Sequence, residues 1–190
     1  MFGLIIFGVL AFLVVGLALY FVSIYNGLVR VSRNIDKAWA NIDVLLKQRH
    51  DEIPKLIKVC EGYMKYERQT LEKITAARTA CLQAKTVGQS SRAEGELAQS
   101  LKTLFAVAEN YPDLKANQNF VQLQQRVSYL ESQIADRREL YNDSVNIYNI
   151  RINQIPDMVV ARMMNLASRE LFAITEEDKK DVDIQFDLPK

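Results

Sequence analysis

The stretch Tyr25–Arg78, YNGLVRVSRNIDKAWANIDVLLKQRHDEIPKLIKVCEGYMKYERQTLEKITAAR, decides the fold. From Ala38 an apolar seam runs through Ile42, Leu45, Ile53, Leu56, Cys60, Tyr63, Leu71, Ile74 and Cys81, with Arg49, Glu67 and Arg78 as charged members of the same seam. Twelve steps of three or four residues cover the 43 residues from Ala38 to Cys81, about 3.6 per step, which is the repeat of a straight α-helix and not of a supercoiled heptad. The spacing predicts one long helix within a packed bundle. Pro54 removes a backbone donor and crowds the carbonyl four residues earlier. The seam keeps its phase across it and no Gly or Asn adjoins it, so a kinked but continuous helix is expected, with Asp51 as the cap if the helix restarts.

Upstream, residues 2–22 (FGLIIFGVLAFLVVGLALYFV) carry no charge, and a helix of that length crosses the roughly 30 Å hydrocarbon layer. No basic residue precedes the apolar run and no small-residue cleavage site follows it, which argues for a membrane span over a secretory signal. Arg30, Arg33 and Lys37 follow the span, so the expected topology has the N-terminus outside and the remainder in the cytoplasm, at the cell (inner) membrane. Gly8 and Gly16 share one face of the span and would admit a second helix, although a GxxxG motif is absent.

Downstream, Thr86–Ser91 (TVGQSS) reads as the loop where the chain turns back. A helix then covers Arg92–Asn110, with Leu97, Leu101, Leu104, Phe105 and Ala108 at helical spacing, and stops before Pro112. Asn117 is a capping residue for a second long helix reaching about Asn153. Its seam is Phe120, Leu123, Val127, Leu130, Ile134, Arg138, Tyr141, Val145, Tyr148 and Ile152. After Pro156 comes an apolar terminal helix that packs on the bundle end or lies under the membrane surface. The fold class is therefore all-α: an N-terminal transmembrane helix followed by an elongated antiparallel three- to four-helix bundle. The organisation is 1–25 for the outer N-terminus and span, 26–173 for the cytoplasmic bundle, and 174–190 for an acidic tail read as disordered.

Lys and Arg number 24 against 23 Asp and Glu, a net charge of +1, and neither end is basic enough to argue for nucleic acid. Cys60 and Cys81 are too few for a disulfide framework and, on one helix, lie roughly 30 Å apart; they read as core thiols. His50 is the only histidine and reads as a solvated side chain beside Arg49 and Asp51. No histidine pair or Cys–His cluster has metal-ligand spacing, and no phosphate loop, nucleotide fingerprint or nucleophile elbow occurs. Metal, cofactor and small-molecule ligand are accordingly expected to be none, and no catalytic residue is assigned. Charge on the helix seams is the informative feature. Unpaired burial of Arg49, Glu67, Arg78, Glu131 and Arg138 would cost several kcal/mol, so they are expected to pair across helices and fix register. Tyr63, Tyr141 and Tyr148 can supply hydroxyls, and Trp39 lies too far beyond the span for the aromatic belt, in the core.

Tyr25-Asn26, Arg33-Asn34, Ala38-Trp39, Ile42-Asp43-Val44, Leu46-Lys47, Arg49, Asp51, Ile53-Pro54, Gly62-Tyr63 and Glu67, with Tyr111-Pro112-Asp113-Leu114-Lys115-Ala116-Asn117 further on, resemble the signature of the LemA family. The resemblance implies a short outer N-terminus, one span and a cytoplasmic helical bundle, with no defined molecular function. Tyr66 stands where the family commonly has His before Glu, which weakens a metal role for Glu67. The function expected is a single-pass, membrane-anchored scaffold or adaptor touching the lipid bilayer through residues 2–22, with protein partners or further copies of itself. The alternative is a self-assembling membrane organiser similar to the LemA-like magnetosome branch. An enzyme with a site around Glu67, Arg78 and Glu131 is the third reading.

Overall fold

The first helix, α1, runs unbroken from Phe2 to Glu61 with Pro54 inside it in the computed structural model of the protein, which describes residues 1–172. The helix continues through the proline because the carbonyl that Pro54 leaves without an amide donor, that of His50, accepts instead from Arg78 Nε at 2.8 Å. The break comes later than Pro54 and earlier than Arg78. At residues 62–67 the helix unwinds, the Met64 amide closes back on the Cys60 carbonyl at 2.8 Å, and Met64 takes a core position at 1 % exposure. This corrects the single long helix expected to pass through Tyr63 and Glu67. A seam of three- and four-residue steps is equally compatible with two helices whose junction keeps the phase.

The next helix, α2, covers Arg68–Gln83, and Arg78 lies beside His50, so α2 returns antiparallel along α1. A short link then leads to α3, Val87–Ala108. Thr86, read above as the start of a loop, is instead the N-cap of α3, its side chain accepting from the Gln89 amide, while Gln89 Oε1 accepts from the Lys85 amide at 3.0 Å. These two bonds satisfy amide donors at the start of the helix and offset the roughly 1 kcal/mol helix penalty of Gly88. The short helix α4, Pro112–Lys115, has its proline at N1, where the missing donor costs nothing. Asn117 Oδ1 accepts from the amides of Asn119 and Phe120 at 2.9 and 3.1 Å and so caps α5, Gln118–Arg151. Last among the described residues is α6, Asp157–Met163. Its end is a Schellman motif: Asn165 has φ 53°, its amide reaches the Arg162 carbonyl, and the Leu166 amide reaches that of Ala161. No strand occurs among the described residues, and the acidic tail 174–190 lies outside them.

The chain divides into two compact units, Met1–Val44 with Ala135–Leu171, and Leu45–Ile134 with Phe172. The second is an antiparallel bundle of the C-terminal part of α1, α2, α3 and the N-terminal part of α5. Its core is built on Ile53, Leu56, Cys60, Ile74, Leu97, Leu104, Phe120 and Val127. In the first unit, the N-terminal part of α1 packs against the C-terminal part of α5, with Leu28, Ile35, Ile42, Val145 and Tyr148 buried. All of residues 1–20 are exposed.

Candidate functional site

Within the second unit lies Arg49, the largest of the fully buried side chains, at 0 % exposure. A bare guanidinium cannot remain there without anions. It has two: Glu94 on α3 and Glu131 on α5 each accept a charged hydrogen bond from a different Nη atom. His50 Nε2 lies 2.9 Å from the other oxygen of Glu94, and since a carboxylate can only accept, the imidazole is the donor. With Arg78 on the His50 carbonyl, the cluster draws polar groups from α1, α2, α3 and α5. Glu94 is buried, whereas Glu131 keeps about a third of its side chain exposed, so the Arg49–Glu94 pair is the desolvated one.

Burial alone would push the Glu94 carboxyl up, but the His50 hydrogen bond and the Arg49 charge outweigh it and hold the group below its ordinary value. Beside it, burial and then the Glu94 charge push the Cys81 thiol up to about 12 against the opposing effect of Arg49. Burial likewise raises Cys60 to about 11. Both are protonated, unreactive core thiols at neutral pH.

His50, Cys81 and Glu94 offer ligand atoms that all lie within 4.8 Å of one another. The expectation of a solvated His50 and of no Cys–His cluster is thus corrected: these residues come from three helices, so spacing along the chain does not reveal their meeting. The donor set suits an ion pair better than a cation. Both Glu94 oxygens are engaged by Arg49 and His50, Cys81 would have to surrender a tightly held proton, and a metal ion would sit against the Arg49 guanidinium.

Among the seam charges named from the sequence, Arg49 and Glu131 pair directly, and Arg78 joins them through a backbone carbonyl. Glu67 lies elsewhere in this unit, accepting from the Tyr111 hydroxyl at 3.1 Å; the preceding Tyr66 is 95 % exposed. Tyr63 is exposed and its hydroxyl accepts from Asn117 Nδ2 at 2.9 Å. Arg138 is half-buried on α5 in the first unit, to which Trp39, Tyr141 and Tyr148 also belong. Trp39 is half-buried, its ring 5.6 Å from that of Tyr141. The Tyr141 and Tyr148 hydroxyls donate to the Glu170 and Ala167 carbonyls at 3.0 and 3.2 Å, tying the chain after α6 to α5.

Glu94 was not singled out from the sequence, yet a signal for it exists. Extending the α3 seam of Leu97, Leu101, Leu104 and Ala108 backwards by one three-residue step lands on Glu94. For His50 the sign is its place four residues after Leu46 and three before Ile53, both buried.

The sequence profile of the LemA family matches residues 38–186, which takes in every residue of the cluster. The chain belongs to the LemA family. It is similar to protein LemA of Metamycoplasma hominis, 27% identical over 170 residues that make up 86% of this chain and 76% of that one. It is also similar to the magnetosome proteins MamQ 1 and MamQ 2 of Paramagnetospirillum magneticum, each 23% identical over 174 residues, 78% of this chain and 64% of theirs. The chain thus spans under two thirds of the length of those two relatives. In this LemA-family chain, α1 is long and apolar enough to cross a membrane, and the apolar stretch that makes it so is wholly uncovered.

Proposed function

We propose that this LemA-family chain is a single-pass, membrane-anchored helical scaffold, with its N-terminus outside and its helical remainder in the cytoplasm, and that it acts by binding and not by catalysis. The observation that carries the reading is the uncovered apolar surface of α1: Phe2, Leu4, Phe7, Phe12, Leu17 and Leu19 are each at least 66 % exposed. Burying such side chains contributes about 1.5–3 kcal/mol each, so a helix presenting a whole series of them on all sides belongs in hydrocarbon. The basic residues that follow, Arg30, Arg33 and Lys37, support the orientation. Support for a scaffold comes from the buried cluster, whose charges hold four helices in one register, and from a surface groove of about 730 Å³ between α1 and α2. Its floor is Ile57, Met64 and Leu71 and its rim Glu61, Lys65, Arg68 and Glu72, a mixture that suits an amphipathic partner helix.

The test has two arms. Membranes extracted at alkaline pH should retain the full chain and release a variant lacking residues 2–22, and a reporter fused after Lys190 should be active in the cytoplasm. In-cell cross-linking from the groove rim, at Lys65, should then recover a discrete partner set. Cross-linking that yields no partner under several growth conditions would count against the scaffold.

Self-assembly is the second reading. The magnetosome relatives favour it, as does the open space around Gly8 and Gly16, where an added Cβ would meet nothing within 4 Å, leaving room for a second helix. It predicts cross-linked dimers or larger species in intact membranes; monomer alone would remove it.

A further inference from the structure

In the first unit two contacts set the direction of α5 along α1. The Trp39 ring lies 5.6 Å from that of Tyr141, tilted against it, and a Cβ on Gly27 would lie 3.0 Å from Arg151 Nη2. Moving twelve residues back along α1 corresponds to moving ten forward along α5, so the helices are antiparallel and α5 climbs towards the apolar end of α1. At the same rate, the turn after Arg151 arrives level with residues ~22–26 of α1, because both elements rise about 1.5 Å per residue. The burial of α1 changes at that height. Residues 1–20 are exposed, Phe21 is half-buried, and Ile24 and Leu28 are buried. The continuously exposed apolar stretch therefore ends where the cover of the first unit begins.

The segment at this end is apolar on the outside. Ile155 is 80 % exposed, Val159 52 % and Met163 68 %. Val159 and Met163 lie four residues apart on one face of α6, and Ile155 stands in the turn before it, while Val160 and Ala161 are buried. Asp157, the acid at the start of α6, is neutralised by Arg151 through bonds of 2.6 Å. Arg30 and Arg162 are exposed and have no ion pair among the described residues. An outward apolar stripe, a neutralised acid and unpaired cations, all at the exit of a span, are the features of an interfacial membrane contact.

We propose that the α5–α6 turn and the outer face of α6 form a second membrane contact, in which Ile155, Val159 and Met163 enter the headgroup boundary and Arg30 and Arg162 approach anionic lipid phosphates. The inference rests on residues 2–22 spanning the bilayer, and adds that the first unit lies against its surface.

The experiment uses the full chain in vesicles of phosphatidylcholine and phosphatidylglycerol, with single-cysteine probes carrying an environment-sensitive fluorophore at Ile155→Cys and Met163→Cys, sites whose exposure means that little packing is lost. Leu10→Cys reports on the span, and exposed Asn41→Cys, about 28 Å along α1 from Val22, reports on water. The unmodified chain, whose own thiols are buried, is the blank. Lipids brominated near the headgroup end of their chains should quench Ile155→Cys and Met163→Cys, and lipids brominated deeper should quench Leu10→Cys, while Asn41→Cys stays unchanged in both. Replacing phosphatidylglycerol by phosphatidylcholine should reduce the quenching at Met163→Cys, and Arg162→Glu should do the same. Quenching of Leu10→Cys without quenching of Ile155→Cys or Met163→Cys overturns the second contact and leaves the span standing. Shielding of those probes from aqueous iodide without quenching by lipid assigns the face to a protein and also overturns it. If Leu10→Cys itself is not quenched, both readings fall.

Discussion

The two units of this chain solve the same problem with different chemistry. In Leu45–Ile134 a buried ion pair lies at the heart of the polar interior: Arg49 sits between Glu94 and Glu131, with His50 on the same Glu94 carboxylate. In the unit formed by Met1–Val44 and Ala135–Leu171, the buried tyrosine hydroxyls of Tyr141 and Tyr148 end on backbone carbonyls, and the ion pairs of Arg169 with Asp36 and of Arg151 with Asp157 are partly exposed. Ions removed from water must be matched to one another, so the first arrangement specifies which helices meet and at what height. A phenol whose partner carbonyl borders water specifies far less.

The contrast breaks most visibly at Arg49. Arg49→Ala strands two carboxylates and Glu94→Ala leaves the buried guanidinium with Glu131 alone, and each should cost about 3–5 kcal/mol, read as a shift in the urea midpoint of the full chain in detergent. Replacing the pair together, Arg49→Met with Glu94→Leu, should recover part of that loss, because an apolar pair of similar volume removes the buried charges together and leaves only His50 and the partly exposed Glu131 to find other partners. Additive losses in the double variant would mean that the pair is not coupled.

Acid should act on the same group. Glu94 has a folded-state pKa held below its usual 4.5, so the fold binds fewer protons there than the unfolded chain does. Its contribution is fully present above the ordinary carboxylate value and is lost as pH falls through the lower folded value. Urea midpoints taken from neutrality downward should therefore fall below about pH 4.5, and Glu94→Gln should flatten that part of the profile. An unchanged slope in Glu94→Gln would place the acid sensitivity on other carboxylates.

These residues also mark where the sequence was legible. Helical class, the apolar span, Asn117 as a cap and the seam position of Arg49 all follow from periodicity and local chemistry, which act within a turn or two. The turn at residues 62–67 was not legible, since the seam keeps its phase through Tyr63 and Glu67, whereas the continuity of α1 through Pro54, where Arg78 serves the freed carbonyl, was. The lone His50 and the surface-looking Glu94 acquire their meaning from each other across 44 residues. Their positions on apolar seams mark them for burial, but pairing is a property of the bundle.

Arg78 offers a smaller and cleaner test. Arg78→Ala leaves the His50 carbonyl without a donor inside a proline-interrupted helix, at a cost of about 1–3 kcal/mol. Pro54→Ala in that background restores an amide to the same carbonyl and should return much of the loss, whereas in the parent chain, where Arg78 already serves the carbonyl, it should gain little. Equal effects of Pro54→Ala in both backgrounds would show that Arg78 stabilises by packing its stem, not by its hydrogen bond.

The smallest effect belongs to the other unit. Tyr148→Phe keeps the buried ring and removes only the hydroxyl bonded to the Ala167 carbonyl at 3.2 Å, a loss of about 0.5–1.5 kcal/mol. Ala167 is exposed, so water can take over its carbonyl and the lower end of that range applies. Tyr141→Phe, with its 3.0 Å bond to exposed Glu170, should behave alike. Being neutral, both should be insensitive to the acid range that weakens the Glu94 cluster. Should Tyr148→Phe cost as much as Arg49→Ala, or acquire the same acid dependence, the division between an ion-specified unit and a hydroxyl-tied one would not hold.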